Sequence, residues 1–375
     1  MQICCWCPFL SHIATIDAVK NSAIAIKKYS KDNDIKILNS IGEWNFFKNN
    51  EENITVKNLH FLNFYRILPK EGFFFSRFSF LVIFIINFFP LIRYVKKEKP
   101  DFLIIHLLTI LPLLLSPILS KHTKIILRIS GYPKMHFLRS FFWKFFSKFI
   151  YKITTPTILT KKLLLKKNIC NKNKISLLRD PVISTAKINI KKNEKIFSLP
   201  TNEKFYLSIG RLTSQKNFKF LIESFSKNIN KFKVKKLMII GSGEMYKELQ
   251  DLILKNNAAN YIFLLGFKKN VYKFIKKSSG FISSSNYEDP GFALIEACFL
   301  RKKIITSLVK NGPLEMSQTS DMCYFFKKNN EEDFVNKIVL SENDELSAKR
   351  ILNALKYSKE FSLFTHYKKI INLLT

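Results

Sequence analysis

The chain has 375 residues and is 47% hydrophobic, enough to bury a sizeable interior; this excludes intrinsic disorder and favours two domains. Its 62 Lys and Arg outweigh 28 Asp and Glu, and the formal charge of +34 invites a nucleic-acid or membrane reading. Nine of the basic residues are arginine, too few for a base-reading surface, so no nucleic-acid partner is expected; the charge is read as solvated surface, with an anionic membrane as its remaining partner.

QICCWCPF opens the chain as a buried first strand. Cys4 and Cys7 have a Cys-x-x-Cys spacing, but no second pair with metal-ligand spacing follows. The six cysteines are read as reduced and packed like small apolar residues, which fits a cytosolic chain. The opening stretch is short and has no basic leader, so no signal peptide is expected. TIDAVKNSAIAIKKYS reads as a helix and DIKILNS as the next strand. Residues 73–92, FFFSRFSFLVIFIINFFPLI, have the length of a membrane span. Arg77, Asn87 and Pro90 interrupt them and leave an apolar core of about a dozen residues, short of a span. They are read as a buried or interfacial helix of an α/β unit, able to lay one face in a bilayer with its lysines at the headgroups. DFLIIH, KIILRIS, the stretch at YKITTP, and ISLLR follow as strands, with LRSFFWKFFSKFI helix-like among them. After Asp180-Pro181, STAKINIKKNEK is polar and lysine-rich and reads as a linker. The rhythm then restarts with KFYLSIG, KKLMIIG, YIFLLG, GFISSS and KKIITS, again separated by helices. Strand–helix alternation with glycine closing several strands predicts a parallel sheet flanked by helices, and its recurrence predicts two such domains.

In a doubly wound sheet, ligands bind beyond the carboxyl ends of the strands. In the second half those positions hold Gly210-Arg211, Gly241-Ser242-Gly243, Gly266, residues 288–291 and Asn311-Gly312-Pro313. Glycine there lets backbone N–H groups approach a ligand closely. In SIGRLTSQKN a strand end delivers Arg211, and Lys216 follows about where a helix begins. Two cations at a sheet mouth suit an anion, and arginine grips phosphate with paired hydrogen bonds. FISSSN is a short strand, residues 287–291 carry turn chemistry, and FALIEACFL reads as a buried helix. Glu288 therefore lies in the loop at the strand's end and Glu296 inside the helix. Pro290-Gly291 opens that helix, whose free N–H groups attract the same anion. A carboxylate within the helix suits the vicinal hydroxyls of a ribose instead. Phosphates, a ribose and a second carboxylate for further hydroxyls describe a nucleotide sugar. Singly, each residue has an ordinary reading as a solvated glutamate, a paired arginine or a tight turn. Joint occurrence at successive strand ends is what points to function.

GRLTSQKNFKFLIESF, IIGSGEMYKELQDLI, LLGFKKNVYKFIKKSSGFISSSNYEDPGFALIEA and NGPLEM, in this order and spacing, resemble the family 4 retaining glycosyltransferases, group 1 enzymes of the GT-B fold. The match is strongest over residues 200–320. KEKPDFLIIH, LLRDPVIS and the final EFSLFTHYKKIINLL extend it. The resemblance implies two Rossmann-like doubly wound parallel-sheet domains facing a cleft: an acceptor-side domain at 1–183, a nucleotide-sugar domain at 184–355, and a helix at 356–375 crossing back to the first. It implies that Arg211 and Lys216 bind the donor diphosphate. Glu288 and Glu296 match a Glu-x7-Glu motif, Glu288 facing the donor sugar and Glu296 the ribose. The Gly291-Phe292-Ala293 backbone caps phosphate or sugar, and Gly210, Gly241 and Gly243 complete the donor site. Glu315 is a further candidate. In the first domain the loop PFLSHIAT lacks the family's Gly-Gly, and KIILRIS ends in Ser130-Gly131 where many relatives have histidine. His106, at the end of DFLIIH, is the candidate to contact the transferred sugar, with His12 in the first loop a second.

The implied reaction moves a sugar from a nucleotide-sugar donor to a saccharide or lipid-linked acceptor, in bacterial cell-surface polysaccharide or lipopolysaccharide synthesis. No metal and no cofactor are expected. The implied location is cytoplasmic, peripheral on the cytoplasmic face of the inner membrane. Two alternatives stay open at this point: a sugar-nucleotide epimerase of the same fold, and a basic nucleic-acid- or membrane-binding protein without catalysis.

Overall fold

The computed structural model describes the chain apart from residues 12, 31, 48–53, 62, 70–72, 132, 134 and 198. The chain divides into two compact units, Met1–Pro181 with Leu363–Thr375, and Val182–Ser362.

The first unit runs β1 (Gln2–Trp6), α1 (Ala14–Tyr29), β2 (Asp34–Asn39), β3 (Thr55–Asn58), α2 (Phe73–Glu98), β4 (Phe102–Ile105), α3 (Ile110–Leu119), β5 (Lys124–Arg128), α4 (Phe137–Phe146), β6 (Lys152–Thr155), α5 (Ile158–Lys166) and β7 (Ile175–Leu177). Its seven strands pair in the order β3-β2-β1-β4-β5-β6-β7, all parallel. Helices cover both faces, so the interiors of the central strands are apolar, as buried parallel strands must be. Alternate residues divide between two cores. Trp6, Leu103, Ile105 and Leu127 meet Leu91 and Val95 of α2, Leu115 of α3 and Trp143 of α4. Ile3, Ile37, Ile104 and Ile126 meet Val19 and Ile26 of α1 on the other face. The cysteines are free, and Cys4, Cys5, Cys7, Cys298 and Cys323 are buried.

The second unit runs α6 (Thr185–Lys191), β8 (Phe205–Ile209), α7 (Phe218–Lys227), β9 (Lys236–Ile240), α8 (Tyr246–Lys255), β10 (Ile262–Leu264), α9 (Tyr272–Lys277), β11 (Gly280–Ser283), α10 (Phe292–Phe299), β12 (Lys303–Ser307), α11 (Gly312–Thr319), β13 (Tyr324–Phe326), α12 (Glu331–Asn343) and α13 (Ser347–Lys359). Its parallel sheet has the order β10-β9-β8-β11-β12-β13. The last helix, α14 (Leu363–Leu374), returns to the first unit and packs on α1.

Three departures from the sequence reading have simple causes. The presumed linker at STAKINIKKNEK begins with helix α6, because Ile188 is fully buried and anchors the lysine-rich turns to the second unit's core. Strand β3 is missing from the sequence reading because TVKN is an edge strand that is largely exposed and has no apolar run. Strand β13, which the sequence reading also lacks, is likewise an edge strand and is three residues long.

Candidate active site

In both sheets the strand order reverses beside the first strand, between β1 and β4 and between β8 and β11. Such a switch point opens a crevice at the strands' carboxyl ends. In the second unit, the loop after β8 carries Gly210 to Asn217, and the loop after β11 carries Ser284 to Gly291. Backbone and side chains join the two loops. Asn286 N donates to Gln215 O at 2.8 Å, Asn286 Nδ2 to Ser214 O at 2.8 Å, and Ser284 Oγ to Lys216 O at 3.0 Å. Lys216 Nζ is thereby brought 2.5 Å from Glu288 Oε1, which also accepts from Ser285 Oγ at 2.6 Å. The side chains of Lys216 and Glu288 are 18% and 8% exposed, so this is a largely buried ion pair.

Arg211 stands exposed at the same mouth; its guanidinium reaches Gln215 Oε1 at 3.5 Å. Gly210 lies under the stem of Lys216, where a Cβ would come 2.9 Å from Lys216 Cδ. The β9 loop packs flush on the β8 loop. A Cβ on Gly241 would come 1.8 Å from Gly210 O, and one on Gly243 2.4 Å from Leu212 O. These two glycines therefore permit backbone to lie on backbone, whatever else they do.

Gly291, with φ +95, sits at the N-cap of α10 in a left-handed conformation that favours glycine. Phe292 and Ala293 follow as half-buried residues of the first helical turn, whose N–H groups have no intrahelical acceptor. Glu296, one turn further, accepts from Tyr272 Oη at 3.1 Å. Glu288 is tied through its backbone to the start of α11, where Gly312 N donates to Glu288 O at 3.2 Å. Glu315, in the first turn of α11, is buried. Among the described residues, Thr213 Oγ1 and Asn311 Oδ1 are buried without a hydrogen-bond partner. No cluster of three or more His, Cys, Asp or Glu among the described residues could hold a metal ion.

The second unit thus assembles Gly210, Arg211, Lys216 and Glu288 at one switch point. Sequence reasoning missed Ser285, Tyr272 and Gln215. The serine run after β11 was the available signal for the first; nothing in the sequence ties Tyr272 or Gln215 to its partner.

His106 belongs to the first unit and follows β4 at that unit's own switch point. It is buried and lines a cavity of about 20 Å³ with Ser22, Arg128, Thr154, Asp180 and His366, room for about one water. The Arg128 guanidinium donates to Asp180 and to Leu178 O, tying the end of β5 to the segment after β7. Burial, reinforced by Arg128 and His366, holds His106 well below the ordinary imidazole value, so it is neutral. His366 of α14 is pushed down to about 3, chiefly by burial. It donates from Nδ1 to Arg179 O at 2.7 Å, which leaves Nε2 to accept from Ser22 Oγ at 2.8 Å. Glu43, in the turn after β2, is another buried group; burial raises it to about 7 although the Ile41 and Ser40 N–H groups donate to it. His12 lies outside the described residues.

Two parallel-sheet units with the switch-point crevice just described form the GT-B fold, and a solved structure bears this out. A glycosyltransferase from Rickettsia africae superposes with a TM-score of 0.76 at 17% identity, over 100% of this chain and 97% of that one. Residues 189–357 match the family model of the glycosyl transferases group 1. An uncharacterised glycosyltransferase of Methanocaldococcus jannaschii is 32% identical over 245 residues, 61% of this chain and 60% of that protein. A second relative is the N-acetylgalactosamine-N,N'-diacetylbacillosaminyl-diphospho-undecaprenol 4-alpha-N-acetylgalactosaminyltransferase of Campylobacter jejuni. It is 30% identical over 145 residues, 38% of this chain and 39% of that protein. The chain spans less than two thirds of the length of either relative.

Proposed function

We propose that the protein is a family 4 retaining, metal-independent glycosyltransferase, working in the cytoplasm. It moves a sugar from a nucleotide-sugar donor to a saccharide or lipid-linked acceptor in bacterial surface-polysaccharide synthesis. The observation that carries this reading is the buried contact of Lys216 with Glu288 beside Arg211 at the β8/β11 switch point. The family match over residues 189–357 supports it, and the Campylobacter relative, named for a lipid diphosphate acceptor, supports the acceptor class.

In this reading the donor diphosphate lies against Arg211, Lys216 and the first turn of α10, while Glu288 holds sugar hydroxyls and Glu296 the ribose. The bond from the anomeric carbon to the diphosphate oxygen breaks, and its electron pair goes to that oxygen. The acceptor hydroxyl forms the new bond on the same face and gives its proton to the departing diphosphate. Negative charge grows on the leaving group, and cations already fixed in place stabilise it without reorganising. Removing one such group typically costs roughly 10²–10³ in rate.

A thermal-shift screen across UDP-, GDP- and ADP-sugars tests the donor side, because a ligand of the folded state raises apparent stability. One donor class should raise the melting temperature of wild type and fail to do so in Arg211→Ala. With that donor, Arg211→Ala should lose roughly 10²-fold or more in turnover. Near-native turnover in both Arg211→Ala and Lys216→Ala would overturn the assignment.

A further inference from the structure

Helices α2, α3 and α4 all lie on one face of the first sheet, α2 packing on α3 and α3 on α4. Their inward stripes supply core residues. Along α2 the buried stripe is Ser79, Ile83, Asn87, Leu91, Tyr94 and Val95. The opposite stripe, which a surface helix ordinarily makes polar, is Phe74, Phe78, Leu81, Ile85 and Phe89, exposed by 56% to 80%. Helix α3 exposes Ile110, Leu114 and Ile118, and α4 exposes Phe137, Leu138, Phe141 and Phe145. At the ordinary area of a phenylalanine side chain this layer presents on the order of 1,000 Å² of apolar surface. The largest patch on a typical soluble monomer is roughly 300–600 Å².

The exposed charges that these helices carry are positive. The α2 stripe runs on to Lys96, with Arg93 and Lys97 beside it; Arg139, Lys144 and Lys148 flank the stripe of α4, and all six are exposed. Lys148 Nζ lies 4.6 Å from the ring centre of Phe145. From residue 73 to 151 the only acids in the sequence are Glu98 and Asp101. Both are engaged away from the patch, Glu98 near Lys36 and Asp101 with Gln2 N. A second copy of the chain would set this positive rim against its own like charge. A bilayer with anionic headgroups matches both parts, acyl chains for the rings and phosphates for the cations.

Helix α2 is long and apolar enough to cross a membrane. Crossing would require it to leave the core that its inward stripe helps to build. We infer that α2, α3 and α4 form an in-plane docking face for an anionic lipid bilayer, with the phenylalanines at the level of the upper acyl chains and the Lys and Arg ends at the headgroups. This rests on the first unit alone and stands or falls separately from the donor site.

The test is flotation of the full chain with vesicles of phosphatidylglycerol and phosphatidylcholine in equal parts, against vesicles of phosphatidylcholine alone. Wild type should float with the mixed vesicles, less so at high salt. Phe78→Asp with Phe141→Asp should lower partitioning by more than tenfold, since burying one phenylalanine accounts for about tenfold or more by itself. Lys96→Gln with Lys97→Gln should lower partitioning to the anionic vesicles by about fivefold per charge. The charge variant keeps the test decisive if the aspartate variant fails to fold. Wild type remaining unbound at low salt, or either variant floating like wild type, would overturn the proposal. So would a concentration-dependent dimer abolished by the aspartate pair with no vesicle binding, because the patch would then serve a second copy of the chain. Donor-induced thermal shifts should be the same in wild type and both variants, which separates failure of this proposal from failure of the donor-site reading.

Discussion

Lys216→Ala and Arg211→Ala remove cations from the same mouth, but the geometry predicts different effects on stability. Lys216 Nζ lies 2.5 Å from Glu288 Oε1, and the two side chains are 18% and 8% exposed. Taking away the lysine strands a carboxylate out of water. Breaking a buried pair in this way typically costs about 3–5 kcal/mol. Ser285 Oγ still donates to the same oxygen at 2.6 Å, which lowers the expected loss. We expect about 2–3 kcal/mol for Lys216→Ala, or roughly 5–10 °C in the unfolding of a unit of this size. Arg211, exposed and reaching only Gln215 at 3.5 Å, should change stability by less than about 0.5 kcal/mol on truncation. Glu288→Gln added to Lys216→Ala should return about 2 kcal/mol, because an amide carries no stranded charge. Urea denaturation of wild type and these three variants without donor measures all of this. Equal stability of Lys216→Ala and Arg211→Ala, or a double variant no better than Lys216→Ala, would show that the pair is not held out of water as described.

Two further outcomes follow from the same geometry. Gly241→Ala should destabilise the second unit by about 2 kcal/mol or more, because the new methyl would fall 1.8 Å from Gly210 O and force the β8 and β9 loops apart; urea denaturation checks it, and near-native stability would refute the close packing. His366 has a folded value of about 3 against an ordinary 6.5, so folding favours its neutral form. Its contribution is fully present above pH 6.5 and is lost as pH falls from 6.5 toward 3, by up to about 1.4 kcal/mol per pH unit. His366→Gln should make that part of the stability–pH curve less steep, the remaining slope including His106, and an unchanged slope would count against a neutral buried imidazole at His366.

Much of the fold was legible because parallel strands buried on both faces leave continuous apolar runs, and DFLIIH, KIILRIS, KFYLSIG and KKLMIIG are such runs. Edge elements were not: TVKN looks like loop because half its ladder and both its faces are largely free of packing. The run STAKINIKK looks like a linker because a helix can be held by one buried isoleucine, and composition averages that residue away. Glu288, Arg211 and Lys216 were visible because they occur together at successive strand ends, a combination that the ordinary reading of each residue alone does not explain.

Composition and periodicity alone determined the two parallel-sheet units, the strand-end loops as the place to look, and the basic, apolar character of residues 73–151. Tertiary structure decided which residues meet. The 72-residue separation of Lys216 and Glu288 closes only when β8 and β11 become neighbours in the sheet. The neutrality of His366 depends on its burial between Arg179 O and Ser22, far from it along the chain. Helical periodicity indicates that α2 has faces, but the core beneath the helix determines which face is left to the solvent. Propensity and pattern act over a few residues, whereas burial, charge pairing and exposure depend on what the rest of the chain brings alongside.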